Sequence, residues 1–561
     1  MYRKILCWLI GITIFLPLAA QPKYEIRASW VTTLGGMDWP RHKANSPEGI
    51  KRQKEELCQL LDQLKEANFN TVLFQTRLRG DVIYPSAYEP FAESITGFTG
   101  RVPAYDPLAF AVEECHKRGM EIHAWFVSIP IGNDRQMRLH GKNAVAKKHP
   151  SFCKHINSSW YLDPGNPETA NYLAGIVREI VTNYDIDGIH FDYIRYPDQA
   201  MKFPDQDTYR KYGNKQPIKD WRRDNITRIV KTCYQTVKSL KPWVKVSSSP
   251  IGKYNDTQRY TSKGWNAYAI VCQDAQRWLK EGIHDALFPM MYFQGNNFYP
   301  FALDWLENKN NRWVVPGLGI YFLHPDEQDW KLDEIVRQLY FIRDVKLDGQ
   351  AYFRNHFLLD NTKGLLDELK ERFYLYPAVV PAMTWQDSIP PSTPTHPSFQ
   401  IDGKSLHLGW TASEDNDKRT YVTYRIYASN QYPVDIQKAE NLVANGVRKT
   451  EFLFQPEVPW HQRAYWAVTA VDRYGNESEA LELNQPKLVD FLLINDELPE
   501  IPEGCTLIIS DATGQEVLRT TQPAPDWKDS LKKGFYRLTL LRPNGSSELI
   551  GTLVQSFIDK R

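Results

Sequence analysis

The stretch DGIHFDYIRYP, residues 187–197, is where this sequence most clearly groups side chains that could do chemistry. Its apolar residues are typical of a buried strand, yet it also carries carboxylates, a histidine, tyrosines and an arginine. Side chains alternate between the two faces of a strand, so His190 and Asp192 share one face, opposite Tyr193. A carboxylate in such a place must be paired or hydrogen-bonded, and it can act as a nucleophile or a general base. Asp192 is therefore the first candidate for a residue of a functional site.

The elements that must position this carboxylate alternate between β-rich runs and amphipathic helical patterns. Eight predicted strands within about 350 residues match the period of a (β/α)8 barrel. No G-x-G-x-x-G or Walker A pattern follows the first strand, which disfavours a nucleotide-binding doubly wound sheet. The predicted strands are 26–31, 71–76, 121–127, 188–193, 244–249, 286–292, 313–320 and 350–353. The predicted helices are 50–66, 107–118, 167–183, 219–240, 268–281 and 331–345.

Other polar and aromatic residues near the carboxyl ends of these strands complete the candidate site, because the chemistry of such barrels lies at that rim. A set of Arg, His, Gln and Trp side chains suits a neutral polyhydroxylated ligand such as a sugar. Each residue could instead be an ordinary packing residue, and Arg77 could pair with Asp81. The predicted substrate-binding residues are Trp30, Gln75, Arg77, Asp81, His123, Trp125, Asp163, His190, Arg195 and Tyr292.

Composition and charge exclude several classes of partner. The chain has 68 basic and 67 acidic residues, so nothing indicates binding to nucleic acid or to an anionic membrane surface. Six cysteines outside the first 20 residues are scattered without a C-x-x-C pair, which disfavours a zinc cluster or a redox motif. No cofactor and no metal are required by the pattern. We expect a monomer.

The first 20 residues have the layout of a cleavable export signal. A short basic start precedes an apolar run, and small residues follow it. The apolar run is shorter than the roughly 20 residues that a membrane-spanning helix needs, and no later segment is apolar enough. The sequence therefore predicts an exported protein of the periplasm or the cell surface, without a membrane span.

A change in composition separates the barrel from two smaller predicted domains. The barrel domain is predicted over 21–387, and SIPPSTPTHPSF, within a linker over 388–399, is rich in proline. Period-two patterns follow over 400–486 and resemble a fibronectin type III module, and 487–561 resembles a small β-sandwich. We expect both modules to be structural or spacing elements.

Several motifs in order resemble the glycosyl-hydrolase-like 10 family of bacterial barrel proteins, over roughly 25–360. They are EIRASWVTT, FNTVLFQTRLRGDVIYPS, GMEIHAWFVS, YLDPGNPETANYL, YDIDGIHFDYIRYP and QDAQRWLKEGIHDALFPMMYF. The resemblance implies a hydrolase of O-glycosidic bonds. Its substrate would be a bacterial cell-wall glycan, namely peptidoglycan strands stripped of their peptides, or a related polysaccharide.

The resemblance also implies roles for two carboxylates. Asp192 would be the nucleophile or base, and Asp274, in VCQDAQRWL, the general acid. Arg77, His123 and Tyr292 would orient sugar hydroxyls. Asp274 could alternatively be a carboxylate that only complements a helix dipole. One departure is that the fifth strand, VKVSSSP, has no acid at its end, where many related barrel glycosidases place one.

Two other functions remain open at this point. The barrel could bind carbohydrate without cleaving it. It could also be a metal-dependent hydrolase of ester or N-acyl bonds, with His123, His190 and Asp192 as ligands of a catalytic zinc. The absence of a tight H-x-H or H-x-x-x-H pair disfavours the second alternative.

Overall fold

The computed structural model describes residues 21–198, 202–402, 405–455, 463–485, 491–493, 500–525, 527, 531–532 and 534–555. The predicted export signal over 1–20 lies outside these residues. Within the described ranges, no helix is both long and apolar enough to span a bilayer.

Parallel strands form a closed barrel in the first two-thirds of the chain. The strands up to its end are β1 (Ile26–Val31), β2 (Thr71–Arg77), β3 (Glu121–Val127), β4 (Pro130–Asn133), β5 (Cys153–Ile156), β6 (Ser159–Leu162), β7 (Gly188–Asp192), β8 (Lys245–Ser248), β9 (Ala286–Leu287), β10 (Trp313–Val314), β11 (Gly317–Leu318) and β12 (Gly349–Tyr352). The sheet order is β10-β9-β8-β7-β3-β2-β1-β12-β11. Its two ends, β10 and β11, are consecutive parts of one strand that pair with β9 and β12 respectively. The sheet therefore closes on itself as eight strands, and the predicted (β/α)8 barrel is confirmed.

Helices cover the outside of the barrel. They are α1 (Pro47–Glu66), α2 (Glu93–Thr96), α3 (Pro107–Lys117), α4 (Asp134–His140), α5 (Val145–Lys148), α6 (Pro167–Asn183), α7 (Gln206–Tyr212), α8 (Ile218–Leu240), α9 (Ala267–Ile270), α10 (Ala275–Lys280), α11 (Tyr299–Glu307), α12 (Leu332–Asp344), α13 (Asn355–Leu359) and α14 (Leu365–Glu368). In α1, the Ser46 side chain accepts a hydrogen bond from the Gly49 amide and Pro47 occupies the first turn, as is usual at a helix start. The buried face of α1 carries Leu57, Leu60, Leu61 and Leu64.

The predicted helix over 268–281 is wrong, because the chain forms two short helices there. Cys272 lies between α9 and α10 with φ of 56°, in the left-handed region that interrupts a helix. The neighbouring Gln273 side chain accepts a hydrogen bond from the Ile251 amide at 3.1 Å and donates one to the Ile194 carbonyl at 3.4 Å. These contacts fix a turn against the ends of two barrel strands, which local helical periodicity could not reveal.

A small antiparallel sheet stands on the barrel between β3 and α6. Its order is β4-β6-β5, and β5 and β6 form a hairpin. Asn157 and Ser158 at its tip have φ of 51° and 59°, as the two central residues of a tight hairpin turn require. The sequence analysis did not predict this sheet, although the alternating pattern around Asn157-Ser158 is a hairpin signal.

Two groups of strands follow the barrel, and all their pairings are antiparallel except that of β20 with β24. The remaining strands are β13 (Thr395–Asp402), β14 (Ser405–Thr411), β15 (Thr423–Ser429), β16 (Leu442–Val447), β17 (Glu451–Phe454), β18 (Tyr465–Val471), β19 (Leu481–Glu482), β20 (Phe491–Leu493), β21 (Thr506–Asp511), β22 (Glu516–Thr520), β23 (Gly534–Leu541) and β24 (Ser547–Gln555). The sheets β13-β14-β17 and β16-β15-β18-β19 share one core that includes Trp410 and Trp466, and β20-β24-β23-β21-β22 form another sheet. β13 begins inside the predicted linker. The likeness to fibronectin type III stays a prediction.

Candidate active site

Asp192 ends the fourth barrel strand, β7, with its carboxylate held on both oxygens. Oδ1 accepts hydrogen bonds from the Tyr193 amide at 2.7 Å and from the Ser249 hydroxyl at 3.0 Å. Oδ2 accepts one from the Trp125 indole at 3.2 Å. The side chain is reached by solvent only slightly, since Asp192 is 7% exposed. Donors from three neighbouring strand ends therefore fix the orientation of this carboxylate and favour its charged form.

The electrostatic setting of Asp192 makes it suitable for proton transfer or nucleophilic attack. Burial raises the pKa of the Asp192 carboxyl above its ordinary value, while the hydrogen bond from Ser249 and the charge of Arg195 act in the opposite direction. A carboxyl whose pKa lies above the usual range is a stronger base when ionised, and it exchanges its proton closer to neutral pH. Desolvation is the largest cause, and it follows from the position of Asp192 inside the barrel mouth.

Replacing Ser249 by alanine is expected to shift the acid limb of the kcat/KM profile to higher pH. The hydroxyl favours the ionised carboxylate, so its loss raises the pKa of Asp192 further. A base or nucleophile must be ionised, and activity would then fall at a higher pH on the acid side. S248A is the matched control, because the buried Ser248 hydroxyl has no hydrogen-bond partner among the described residues. If the basic limb of the kcat/KM profile shifted instead, Asp192 would be the general acid. If neither limb of the profile shifted, the result would contradict a catalytic role for Asp192.

The residue after Asp192 does not continue the strand. Tyr193 has φ of 49°, in the left-handed region, and the residue is 39% exposed instead of being buried against the helices. The predicted strand over 188–193 is therefore one residue too long, and the predicted outward face of Tyr193 is wrong. The Arg195 guanidinium lies 4.8 Å from the centre of the Tyr193 ring. This turn places an aromatic ring and a guanidinium beside the carboxylate.

A cavity of about 400 Å³ opens next to this turn. One wall is the segment after β7 and the other is the small antiparallel sheet. Its aromatic and polar lining is typical of sugar-binding pockets, in which rings supply apolar surface and a few polar groups fix orientation. The lining residues include Arg79, Trp160, Tyr161, Tyr193, Arg195 and Asp198. Trp160 and Tyr161 were missed by the sequence analysis because they lie on the unpredicted sheet.

Tyr292 belongs to an aromatic cluster on the opposite part of the rim. Its ring stacks on Phe353, with centroids 5.6 Å apart, and meets Tyr321 edge-on at 5.9 Å. Burial, and then the charge of Asp192, raise the pKa of Tyr292 well above its ordinary value. The phenol therefore stays protonated as a potential hydrogen-bond donor near Asp192. The sixth, seventh and eighth strand ends together supply these rings.

Trp30 and His190 lie one layer below Asp192 and are not among the residues that line the cavity. The Trp30 indole donates to His190 Nε2 at 3.2 Å, and His190 Nδ1 is 3.0 Å from the Ser247 hydroxyl. His190 is fully buried, and burial lowers its pKa well below the ordinary value, so the ring is neutral. Both ring nitrogens are thus occupied by protein partners. The predicted contact of these two residues with substrate is corrected to a packing role in the layer below Asp192.

His123 lies at the other end of the barrel from the predicted rim. In the register of β3 and β7, His123 is level with Gly188, whereas Val127 is level with Asp192. Its Nε2 is 3.3 Å from a carboxylate oxygen of Glu121. The alternation of side chains along β3 correctly predicted which face His123 occupies. It could not predict how far His123 lies from the carboxyl end of the barrel. The predicted substrate contact of His123 is therefore corrected.

Arg77 forms a buried ion pair with Glu89, not with Asp81. Its Nε and Nη2 donate to the two Glu89 oxygens at 2.8 and 2.6 Å, and both side chains are fully buried. Its Nη1 donates to the Ser128 carbonyl at 3.0 Å, and the Ser128 amide donates to the Asp192 carbonyl at 2.8 Å. Arg77 therefore positions the segment after β3 and does not reach substrate, which corrects its predicted role.

Gln75 and Asp81 also organise the backbone of the rim. The Gln75 side-chain oxygen accepts the amides of Thr33 and Leu34 at 2.9 and 2.8 Å. Asp81 accepts the Arg79 amide at 2.9 Å and lies 3.7 Å from a ring nitrogen of the buried His140. These bonds fix the loops after β1 and β2. Neither side chain is among those lining the cavity beside Asp192.

The remaining predicted carboxylates make no described hydrogen bond or ion pair with Asp192. Asp163 is fully buried and accepts the Gly165 amide at 2.9 Å in the turn before α6, so its predicted substrate contact is corrected to a structural one. Asp274 precedes α10 and accepts the Tyr254 hydroxyl at 2.6 Å. Within the described ranges no hydrogen bond or ion pair connects Asp274 to Asp192 or to a hydrogen-bond partner of Asp192. The general-acid role of Asp274 stays a prediction.

The ligand set of the metal alternative does not converge. Asp192, His190 and His123 occupy successive levels along the barrel, and His190 uses both ring nitrogens for other bonds. In the part of the chain that the structure describes, no group of three or more His, Cys, Asp or Glu side chains is placed to hold a metal. The donor geometry therefore does not support this alternative.

The fold and the site define a (β/α)8-barrel protein of the glycosidase type, with a buried carboxylate and an aromatic cavity at the carboxyl ends of the strands. The chain belongs to the Glycosyl hydrolase-like 10 family, which matches residues 25–324. The resemblance found in the sequence is thus confirmed.

Relatives of known name extend this finding. Glycosyl hydrolase YngK of Bacillus subtilis (strain 168) is 35% identical in an alignment of 486 residues that covers 82% of this chain and 93% of the relative. Glycosyl hydrolase DigH of Escherichia coli (strain K12) is 32% identical over 292 residues, 49% of this chain and 66% of the relative. Among solved structures, the PgaB (BpsB) glycoside hydrolase domain from Bordetella bronchiseptica has a TM-score of 0.44 and 14% identity, covering 62% of this chain and 98% of that one.

Proposed function

We propose that this protein is a glycoside hydrolase that cleaves O-glycosidic bonds in a bacterial cell-wall glycan, namely peptidoglycan strands without stem peptides, or in a related polysaccharide. The observation that carries the proposal is the buried, hydrogen-bonded Asp192 beside a cavity lined by aromatic and arginine side chains. Family membership supports the reaction class, since the named relatives are called glycosyl hydrolases.

In the proposed mechanism, Asp192 attacks the anomeric carbon or activates a water molecule. Ser249 and Trp125 donate hydrogen bonds to its two oxygens and so fix the side chain in one orientation. The carboxylate therefore loses little conformational entropy when it reacts. A second carboxyl group protonates the leaving oxygen, and Asp274 is the proposed acid. Retention requires the two carboxyl groups to be about 5–5.5 Å apart, and inversion about 6.5–9.5 Å. Tyr292 supplies a neutral donor near the reacting centre.

We further propose that the protein acts as a monomer after export, in the periplasm or at the cell surface. The predicted export signal over 1–20 supports this compartment. A cell-wall glycan is found there, so the compartment and the proposed substrate agree.

A carbohydrate-binding barrel without hydrolytic activity is the second candidate. It is favoured by one observation: the end of the fifth strand, where many related barrel glycosidases place an acid, carries serines instead. Such a protein would retain bound glycan intact over long incubation.

Mass spectrometry of products distinguishes these functions. We expect the protein to release short muro-oligosaccharides from peptide-free strands and to leave intact sacculi largely uncut, since stem peptides would block the cavity beside Asp192. A panel of plant and host polysaccharides is the third substrate. Cleavage only within that panel would keep the mechanism and change the substrate. The absence of any cleavage, with glycan still bound, would establish the binding function instead.

A further inference from the structure

The turn between β18 and β19, residues 472–477 with the sequence DRYGNE, contacts the barrel. It belongs to the two sheets formed by β13 to β19, which we call the two-sheet module. Tyr474 is 4% exposed and is part of the barrel core, and its carbonyl accepts the Met383 amide at 2.7 Å. Gly475 has φ of 94°, and a Cβ there would lie 3.1 Å from Cα of Ala382. The turn therefore packs closely against the segment that leaves the barrel, with no room for a side chain at Gly475.

Arg473 connects the same turn to the amino-terminal end of a barrel strand. Its Nη1 donates to Asp185 at 2.6 Å and its Nη2 to Asp187 at 3.1 Å. Asp187 directly precedes β7, and one of its carboxylate oxygens is 2.8 Å from Nε2 of His116 in α3. The Arg473 and Asp187 side chains are only 7% and 13% exposed. Both acidic partners of Arg473 in the described structure lie on the barrel, so this pairing fixes one orientation of the turn.

Glu477 makes a second buried ionic contact, with the segment that enters the barrel. Its Oε2 lies 2.7 Å from Nζ of Lys23, three residues before β1, and 2.7 Å from Nη1 of Arg425 in the module. Burial acts to raise the pKa of Glu477, but the charges of Arg425 and Lys23 lower it to about 2. The carboxylate is therefore ionised, and it is shared between one cation of the module and one of the barrel.

Apolar packing crosses the junction in both directions. Val379, on the segment after the barrel, belongs to a core cluster with Tyr427 and Ala467 of the module, whereas Tyr474 of the module belongs to the barrel core. The Val379 amide also donates to the Lys23 carbonyl at 2.8 Å. Separation of the two parts would expose this apolar surface to water, so each part stabilises the other.

We propose that the barrel and the two-sheet module form one cooperative folding unit, held together by docking of the 472–477 turn on the amino-terminal end of the barrel. The inference goes beyond the proposed glycosidase function and does not depend on it. It gives the module a structural role and excludes the role of a spacer. The module is fixed at the end of the barrel opposite Asp192. The smallest stable form of the barrel therefore extends to β19, although the family match ends at residue 324.

Hydrogen-exchange mass spectrometry of the full chain in increasing urea follows barrel peptides and module peptides separately. We expect both sets to lose protection at the same urea concentration. L406A opens a cavity at a fully buried position of β14 in the module, and it should lower the midpoint of the barrel peptides as much as that of the module peptides, by roughly 0.5–1 M. If the module peptides lost protection earlier while the barrel peptides kept the wild-type midpoint, the proposal would be wrong.

L538A is the matched control for this variant. Leu538 is also fully buried, but it lies in β23 of the C-terminal sheet, in a core whose described members all lie between Ile501 and Leu553. Its replacement should leave the midpoint of the barrel peptides unchanged. An equal loss of barrel protection in L538A would leave the two-sheet module without a specific role and would also overturn the proposal.

G475A tests the docking turn itself. Alanine at this position strains the backbone and also meets Ala382, so it should lower the shared midpoint of barrel and module. G364A is the matched control, because Gly364 of the barrel has φ of 80° and a Cβ there would meet no atom within 4 Å. A midpoint for G475A that is no lower than that for G364A would show that the turn is not docked. Unfolding is measured without substrate, so this result is independent of whether the proposed cleavage is found.

Discussion

D192N is expected to lower kcat/KM on the cleaved glycan by about 10²- to 10⁴-fold, the range for loss of an acid–base group. The amide oxygen can still accept from the Tyr193 amide and the Ser249 hydroxyl, whereas its NH2 group cannot accept from the Trp125 indole. The amide can neither attack nor accept a proton. Initial rates of product formation, followed by mass spectrometry on peptide-free strands, measure this effect. D326N is the matched control, because the Asp326 side chain is 91% exposed and should leave the rate unchanged.

Thermal unfolding separates this effect from misfolding. Burial raises the pKa of Asp192 in the folded protein, so its ionised form destabilises the fold at pH 7 relative to a neutral side chain. The stability linked to this group is greatest at low pH and declines as the pH rises through the folded pKa. D192N should therefore unfold at or above the wild-type temperature at pH 7. Full activity of D192N would contradict the assignment, and so would inactivity that arises only from unfolding.

R77M is expected to destabilise the barrel by about 3–5 kcal/mol, the cost of leaving a buried partner charge uncompensated. Glu89 would keep only the hydroxyl of Tyr172, which donates at 3.0 Å, as a described hydrogen-bond donor to its carboxylate. Urea unfolding followed by tryptophan fluorescence measures the change. Activity should fall as well, because Arg77 holds the carbonyl of Ser128 next to Asp192.

R259M is the matched control for this variant. Arg259 and Glu307 also form a two-contact pair, but their side chains are 45% and 50% exposed, so its loss should cost below about 1 kcal/mol. The double variant R77M/E89L should recover much of the lost stability, since an apolar pair leaves no buried charge. Equal costs for R77M and R259M would show that burial does not determine the strength of the Arg77 pair.

Much of the fold could be predicted from the sequence because its signals are local. The strand β3 was predicted over 121–127 and is observed as Glu121–Val127, since apolar residues on both faces indicate a buried parallel strand. The helix α6, predicted over 167–183, agrees with its observed bounds because Asn166 caps it and Pro167 begins it. The break at Cys272 was not predictable, because it depends on contacts with strands distant in sequence.

The candidate site was predicted less completely than the fold. The carboxylate at the end of β7 followed from alternation and from the family motif. The height of His123 along the barrel axis depends on how neighbouring strands are shifted relative to one another. The ion-pair partner of Arg77 depends on how the loop after β2 folds back. Both are set by contacts between segments that are far apart in the chain. Ser249 was missed because a serine at a strand end carries no distinctive signal.

The sequence by itself determined the barrel, its family and the position of Asp192, because hydrophobic period and short motifs act within single elements. Only the tertiary structure decided which side chains meet that carboxylate. Trp125, Ser249 and Arg195 come from three different strand ends, and Trp160 comes from a hairpin that stands on the rim. Hydrogen bonds and burial depend on distance in space, and closing the sheet into a barrel is what brings these residues together.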